Sequence, residues 1–130
     1  MVKKEIGVGV IGLGMGAGMF ALDKTPSSRM EIRGICSRHE DKLKALCAEY
    51  GTGYYTTDYK ELVKRDDIDV VSVYSPDHLH YEHCKAALEA GKHVLCTKPL
   101  TSNLEDAKKL VKLVKETGLK LLVGQTMRYD

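Results

Sequence analysis

IGVGVIGLGMGAG, residues Ile6–Gly18, opens the chain with an apolar, β-branched run that breaks into closely spaced glycines. Such a run predicts a buried parallel strand over Ile6–Leu13. Its end carries Gly12, Gly14 and Ala17, a G-x-G-x-x-A spacing set between a predicted strand and a predicted helix. Each position has a physical task. Gly12 permits the tight turn, Gly14 lets a diphosphate approach the backbone, and a small residue at 17 lets helix and strand pack closely. The free amides of Leu13, Met15 and Gly16 and the positive end of the helix dipole then face the anion. An offset register using Gly14 and Gly16 satisfies the same spacing. The nucleoside-triphosphate loop G-x-x-x-x-G-K-S/T is absent.

Outward from this turn, apolar runs alternate with amphipathic ones. Strands are predicted at Ile32–Ser37, Asp69–Ser75, His93–Lys98 and Lys120–Thr126, with a weaker one at Gly53–Thr57. Helices are predicted between them. One opens on a capping box of Ser37 and Glu40 and ends at Gly51, a second stops at Gly91, and a third opens on Ser102 and Glu105 and closes at Gly118. In the third, Leu104, Ala107, Leu110, Val111 and Val114 are expected on one apolar face, with Lys108, Lys109, Lys112 and Lys115 on a solvated one. Strands alternating with helices imply right-handed βαβ units. The expected fold is α/β: a Rossmann-type, doubly wound parallel sheet of about six strands with helices on both faces, occupying residues 1–130 as one domain.

Composition excludes several classes. A formal charge of +2, with no dense basic run, gives no basis for a nucleic-acid partner. No apolar run reaches the ~18 residues that a membrane span needs, so no membrane partner is expected. The lysines before the first apolar run superficially resemble a signal peptide, but Glu5 and the dense glycines break that pattern. Cys36, Cys47, Cys84 and Cys96 are widely spaced, which fits a reducing, cytoplasmic setting and neither a disulfide framework nor a metal site.

In doubly wound sheets the ligand lies beyond the C-terminal strand ends. The second strand ends in Ser37, Arg38 and His39. An acidic residue there would bind ribose hydroxyls, whereas a hydroxyl and a guanidinium receive a 2′-phosphate. This charge pattern favours NADP over NAD. At the fifth strand, Pro99 restricts Lys98 to an extended backbone, which reads either as a positioned cation or as a strand stopping.

Three further segments complete a pattern: Ser75-Pro76-Asp77-His78-Leu79-His80, Thr97-Lys98-Pro99 and a terminal stretch containing Arg128. With the glycine turn they resemble the glucose–fructose oxidoreductase/inositol dehydrogenase (Gfo/Idh/MocA) family, across essentially the whole chain. The resemblance implies an NAD(P)-dependent oxidoreductase moving hydride between a nicotinamide and a sugar, polyol or related carbonyl compound. By it, Gly12, Leu13, Gly14, Met15, Gly16 and Ala17 hold the pyrophosphate, and Ser37 and Arg38 face the adenosine ribose. Ser75, Pro76 and His80 line the cofactor cleft, with Thr97 and Arg128 also at the cofactor. Lys98 stands beside the nicotinamide and the substrate hydroxyl as the catalytic residue.

Two departures from the family pattern stand out: Thr97 replaces a glutamate, and Asp77 replaces an asparagine. The loss of the glutamate leaves a second reading, a non-catalytic NAD(P)-sensing regulator. The family also carries a second α+β domain with an Asp/His pair, for which these 130 residues hold no counterpart. The expectation is therefore a cofactor domain of a longer enzyme, inactive by itself and homo-oligomeric at full length. Among the other histidines, His83 is expected at the surface, His93 in a structural role and His39 in solvent. Tyr81 and Tyr129 are expected in packing.

Overall fold

The computed structural model describes residues 6–12, 29–97 and 100–124. Leu13, Gly14, Met15, Gly16, Ala17, Lys98, Pro99, Arg128 and Tyr129 lie outside the described residues.

Six parallel strands form the sheet: β1 (Ile6–Ile11), β2 (Met30–Cys36), β3 (Tyr55–Thr56), β4 (Val70–Val73), β5 (His93–Thr97) and β6 (Leu121–Gly124). Their spatial order is β3-β2-β1-β4-β5-β6. The chain therefore builds outward from β1 to one edge, returns to the centre and builds outward to the other. That reversal between β1 and β4 is the topological switch point of a dinucleotide-type fold. The expected strands are present, and their ends among the described residues shift by up to two residues, the weak one at 53–57 shrinking to Tyr55–Thr56; the expected ends at Leu13, Lys98 and Thr126 lie outside the described residues.

Helices cover both faces. On one, Leu43 and Cys47 of α1 (Glu40–Tyr50) pack on Val8, Val10, Ile32 and Ile35. On the other lie α2 (Tyr59–Val63), α3 (His80–Glu89) and α4 (Leu104–Thr117). They supply Leu62, Cys84, Ala87, Leu88 and Leu110 to a core with Val71, Val73, Val94 and Cys96. All four cysteines are buried and unpaired.

The helix starts differ from expectation for local reasons. Ser37 is still tied to the sheet by its N–H donating to Thr56 O at 3.3 Å, so α1 begins later, with His39 at its N-cap. The Ser37 hydroxyl accepts from His39 N at 3.2 Å instead of capping the helix. In α4 the cap is Asn103, one residue past Ser102. Asn103 Oδ1 accepts from Asp106 N at 2.9 Å, and Asn103 Nδ2 donates to Asp106 Oδ2 at 3.1 Å. Asparagine caps at least as well as serine, and Asp106 takes the part assigned to Glu105. Gly51 and Gly118 close their helices in the left-handed conformation, as expected.

The apolar face of α4 is also narrower than the heptad-like spacing implied. Leu110 is buried and Leu113 and Val114 pack beneath it, but Leu104 is 68% and Val111 48% exposed.

Candidate dinucleotide cleft

A cleft of about 1110 Å³ opens over the C-terminal ends of β1, β2, β4 and β5. Its floor is the switch point itself. Gly12 N donates to Cys36 O at 2.8 Å, and Tyr74 N donates to Ile11 O at 2.7 Å. Gly12 thus lies between the ends of β2 and β4. Its φ is +95°, and a Cβ there would stand 2.6 Å from both Ser75 N and Tyr74 C. No residue with a side chain fits that space at that backbone angle. Gly12 therefore has the backbone conformation that the expected tight turn requires.

Ser37 and Arg38 line one end of the cleft together with His39 and Lys42. None of the described lining residues at this end is acidic; the acidic ones, Asp77 and Glu82, belong to the segment that follows β4. Lys42 was not singled out in the sequence, although it follows Arg38 by four residues on a helix-forming stretch. His39 is exposed, as expected.

Ser75, Pro76 and Thr97 also line the cleft, but His80 does not. His80 is fully buried, and its Nε2 donates to Ser75 O at 2.8 Å. A carbonyl oxygen only accepts, so the proton sits on Nε2. His80 props the turn from behind instead of forming the wall. His83 corrects the sequence reading further: expected at the surface, it is 6% exposed and lines the cleft. Its Nδ1 stands 2.7 Å from Ser75 Oγ, and its ring lies 4.5 Å from that of Tyr59. Burial holds the His83 pKa below the usual value. The Tyr59 phenol is pushed up to about 12, first by burial and then by its hydrogen bond to Glu82. Helical spacing held the signal that was missed. His80, His83, Cys84, Ala87 and Leu88 follow i, i+3, i+4, i+7, i+8 and all are buried.

Two other chemistries find no support. Burial, with the nearby Asp58 charge, pushes the Cys36 thiol at the cleft floor up to about 12, away from a reactive thiolate. Among the described residues no three His, Cys, Asp or Glu side chains gather as metal ligands, and no helix is long and apolar enough to cross a membrane. His93 is structural, its Nδ1 accepting from Lys120 N at 3.0 Å. Tyr81 packs at the edge of the α3–α4 core.

The family model described as "Oxidoreductase family, NAD-binding Rossmann fold" matches residues 6–125. The chain belongs to the Gfo/Idh/MocA oxidoreductase family. Among its Gfo/Idh/MocA relatives, a D-glucoside 3-dehydrogenase of Escherichia coli is 33% identical over 136 residues, spanning 100% of this chain and 36% of that protein. The scyllo-inositol dehydrogenase of Lactobacillus casei, solved with NAD(H) and scyllo-inositol, superposes with a TM-score of 0.89 at 28% identity, over 98% of this chain and 38% of that one. KijD10, a 3-ketoreductase from Actinomadura kijaniata solved with TDP-benzene and NADP, gives 0.85 at 37% identity, over 96% and 40%. The chain thus spans well under half the length of these Gfo/Idh/MocA relatives.

Proposed function

We propose that this chain is the nicotinamide-dinucleotide domain of an oxidoreductase that acts on a sugar, polyol or related carbonyl compound, working with a second domain that supplies the substrate pocket. The observation that carries this reading is Gly12, wedged against the Tyr74–Ser75 backbone at the point where strand order reverses, below an open cleft. A glycine held this way at the switch point is the first position of a diphosphate-binding loop, two residues ahead of Gly14, where the diphosphate would approach the main chain. The residues present fit the group.

Gly12 and the loop through Leu13, Gly14, Met15, Gly16 and Ala17 would take the pyrophosphate on backbone amides. Ser37, Arg38 and Lys42 would receive the adenosine ribose; with two cations and no carboxylate, they favour a 2′-phosphate and hence NADP. Ser75, Pro76 and Thr97 would border the remainder of the cofactor, with Arg128 near them. The bound nicotinamide supplies or accepts the hydride. Lys98, which the following Pro99 would restrict to an extended backbone, would orient the substrate oxygen and stabilise negative charge developing on it.

A titration of the purified chain with NADPH, NADH, S-adenosylmethionine and ATP tests the reading. Binding of the nicotinamide dinucleotides, NADPH more tightly, is expected; preference for either of the other nucleotides would overturn it. Thr97 at the cleft wall supports a second reading, a sensor that binds NADP without consuming it. Turnover by the protein joined to its substrate domain separates the two.

A further inference from the structure

Two histidines from the first turns of α3 hold the turn after β4, and they hold it differently. His80 donates to the Ser75 carbonyl and lies outside the cleft. His83 meets the Ser75 hydroxyl, and both of those side chains line the cleft. Ser75 and His83 are 7% and 6% exposed, so little water competes for their hydrogen bond. The groups that face His83 are Tyr59 from α2, Ser75 from the turn, and His80 and Glu82 from its own helix.

A hydroxyl hydrogen rotates, but imidazole nitrogens are fixed by protonation. Neutral imidazole has one donor and one acceptor; imidazolium has two donors and no acceptor. When His83 is charged, Nδ1–H must donate to Ser75 Oγ. The hydroxyl hydrogen then has to turn away from the ring, and a positive charge stands at the cleft wall.

We propose that His83 is a positioning residue for the dinucleotide, coupling its own protonation through the Ser75 hydroxyl to the binding of the anionic ligand. The inference rests on the dinucleotide reading above. Both consequences of charging His83, an outward-turned donor and a nearby cation, favour a diphosphate. By linkage, the bound anion favours the charged ring in return. Burial keeps the free protein's His83 below its usual pKa, so the ring is neutral near pH 7. Binding raises that pKa. Affinity therefore increases as pH falls through the bound-state value, and the gain is absent at higher pH.

NADH is the probe of choice, because the 2′-phosphate of NADPH titrates in the same range. The His83 ring is followed by nuclear magnetic resonance between pH 5 and 8, with and without NADH. Dissociation constants are measured by nicotinamide fluorescence at pH 5.5 and 7.5 for the wild type, His83→Gln and Ser75→Ala. The wild-type His83 titration is expected to move upward with NADH. Its affinity is expected to gain about three- to ten-fold on acidification beyond either variant, one pKa unit being tenfold. The other histidines that line the cleft, His39 and His78, are present in the wild type and in both variants, so they are common to the comparison. An unmoved His83 titration, or full pH dependence retained in both variants, overturns the inference and leaves the dinucleotide reading intact. If His83→Gln does not fold, Ser75→Ala and the wild-type titration decide. Failure of the wild type to bind NADH or NADPH at any pH removes the dinucleotide reading, and this inference with it.

Discussion

Gly12→Ala is the substitution that bears most directly on the switch point. Two costs add there. A left-handed backbone costs an L-residue roughly 1–2 kcal/mol. Forcing a methyl into filled space adds about 1–3 kcal/mol, and here the obstacle is main chain, with Tyr74 C and Ser75 N at 2.6 Å and Tyr74 O at 2.7 Å. The sum, about 2–5 kcal/mol, is a large fraction of the roughly 5–15 kcal/mol that holds a domain folded. At this chain length it lowers the melting temperature by roughly 8–20 °C. Gly51→Ala is the internal control. Gly51 has φ +74°, but its Cβ position meets no atom within 4 Å, so only the conformational part remains, about 1–2 kcal/mol. Urea unfolding of both variants, followed by far-ultraviolet circular dichroism, reads the difference. Equal losses would refute the close approach of Gly12 to the β4 turn, and the cleft floor with it.

Arg38→Asp should reverse the nucleotide preference, weakening NADPH by at least tenfold while leaving NADH within about threefold; Lys42→Ala should weaken NADPH more than NADH, by about three- to tenfold, in line with roughly 1 kcal/mol for a partly exposed ion pair. Calorimetric titration of both nucleotides checks each, and an unchanged ratio in both variants would remove the 2′-phosphate assignment. Asn103→Ala should destabilise the chain by about 1 kcal/mol, whereas Ser102→Ala should change stability by less than half of that; chemical denaturation that ranks them the other way would restore the capping box at Ser102. In the protein joined to its substrate domain, Lys98→Met should abolish turnover while leaving nucleotide affinity nearly unchanged, and wild-type rates would make Lys98 a surface residue.

The strands and their parallel, doubly wound arrangement were the most legible part of the molecule. β-branched runs at 6–11, 70–73 and 93–97 admit few structures other than buried parallel strands, and amphipathic segments of helical length between them force crossovers. The glycine turn was legible for a related reason: a residue with no Cβ at a strand end points to a backbone contact, and Gly12 makes one. Side-chain placement on the helices was harder. Spacing marks an apolar face but not where the sheet ends beneath it, so Leu104 and Val111 were read onto the face that Leu110, Leu113 and Val114 bury, and both are exposed. Histidine was hardest, because one residue type serves in solvent, in the core and at a site. His80 was assigned to the cleft and His83 to the surface; in the structure His80 is the prop and His83 the wall, since α3 presents both along its buried stripe. Caps moved by one or two residues wherever a neighbouring strand bond or a better capping side chain competed.

The outermost strand has a practical consequence. β6 pairs only with β5 among the described residues, and its Leu122 is 64% exposed. A strand margin unpaired among the described residues and carrying a leucine invites a second copy to extend the ladder, so concentrated preparations of this chain should lose material to slow precipitation. Leu122→Lys would put a charge on that margin at little cost to folding, and samples so altered should tolerate the millimolar concentrations that spectroscopy demands.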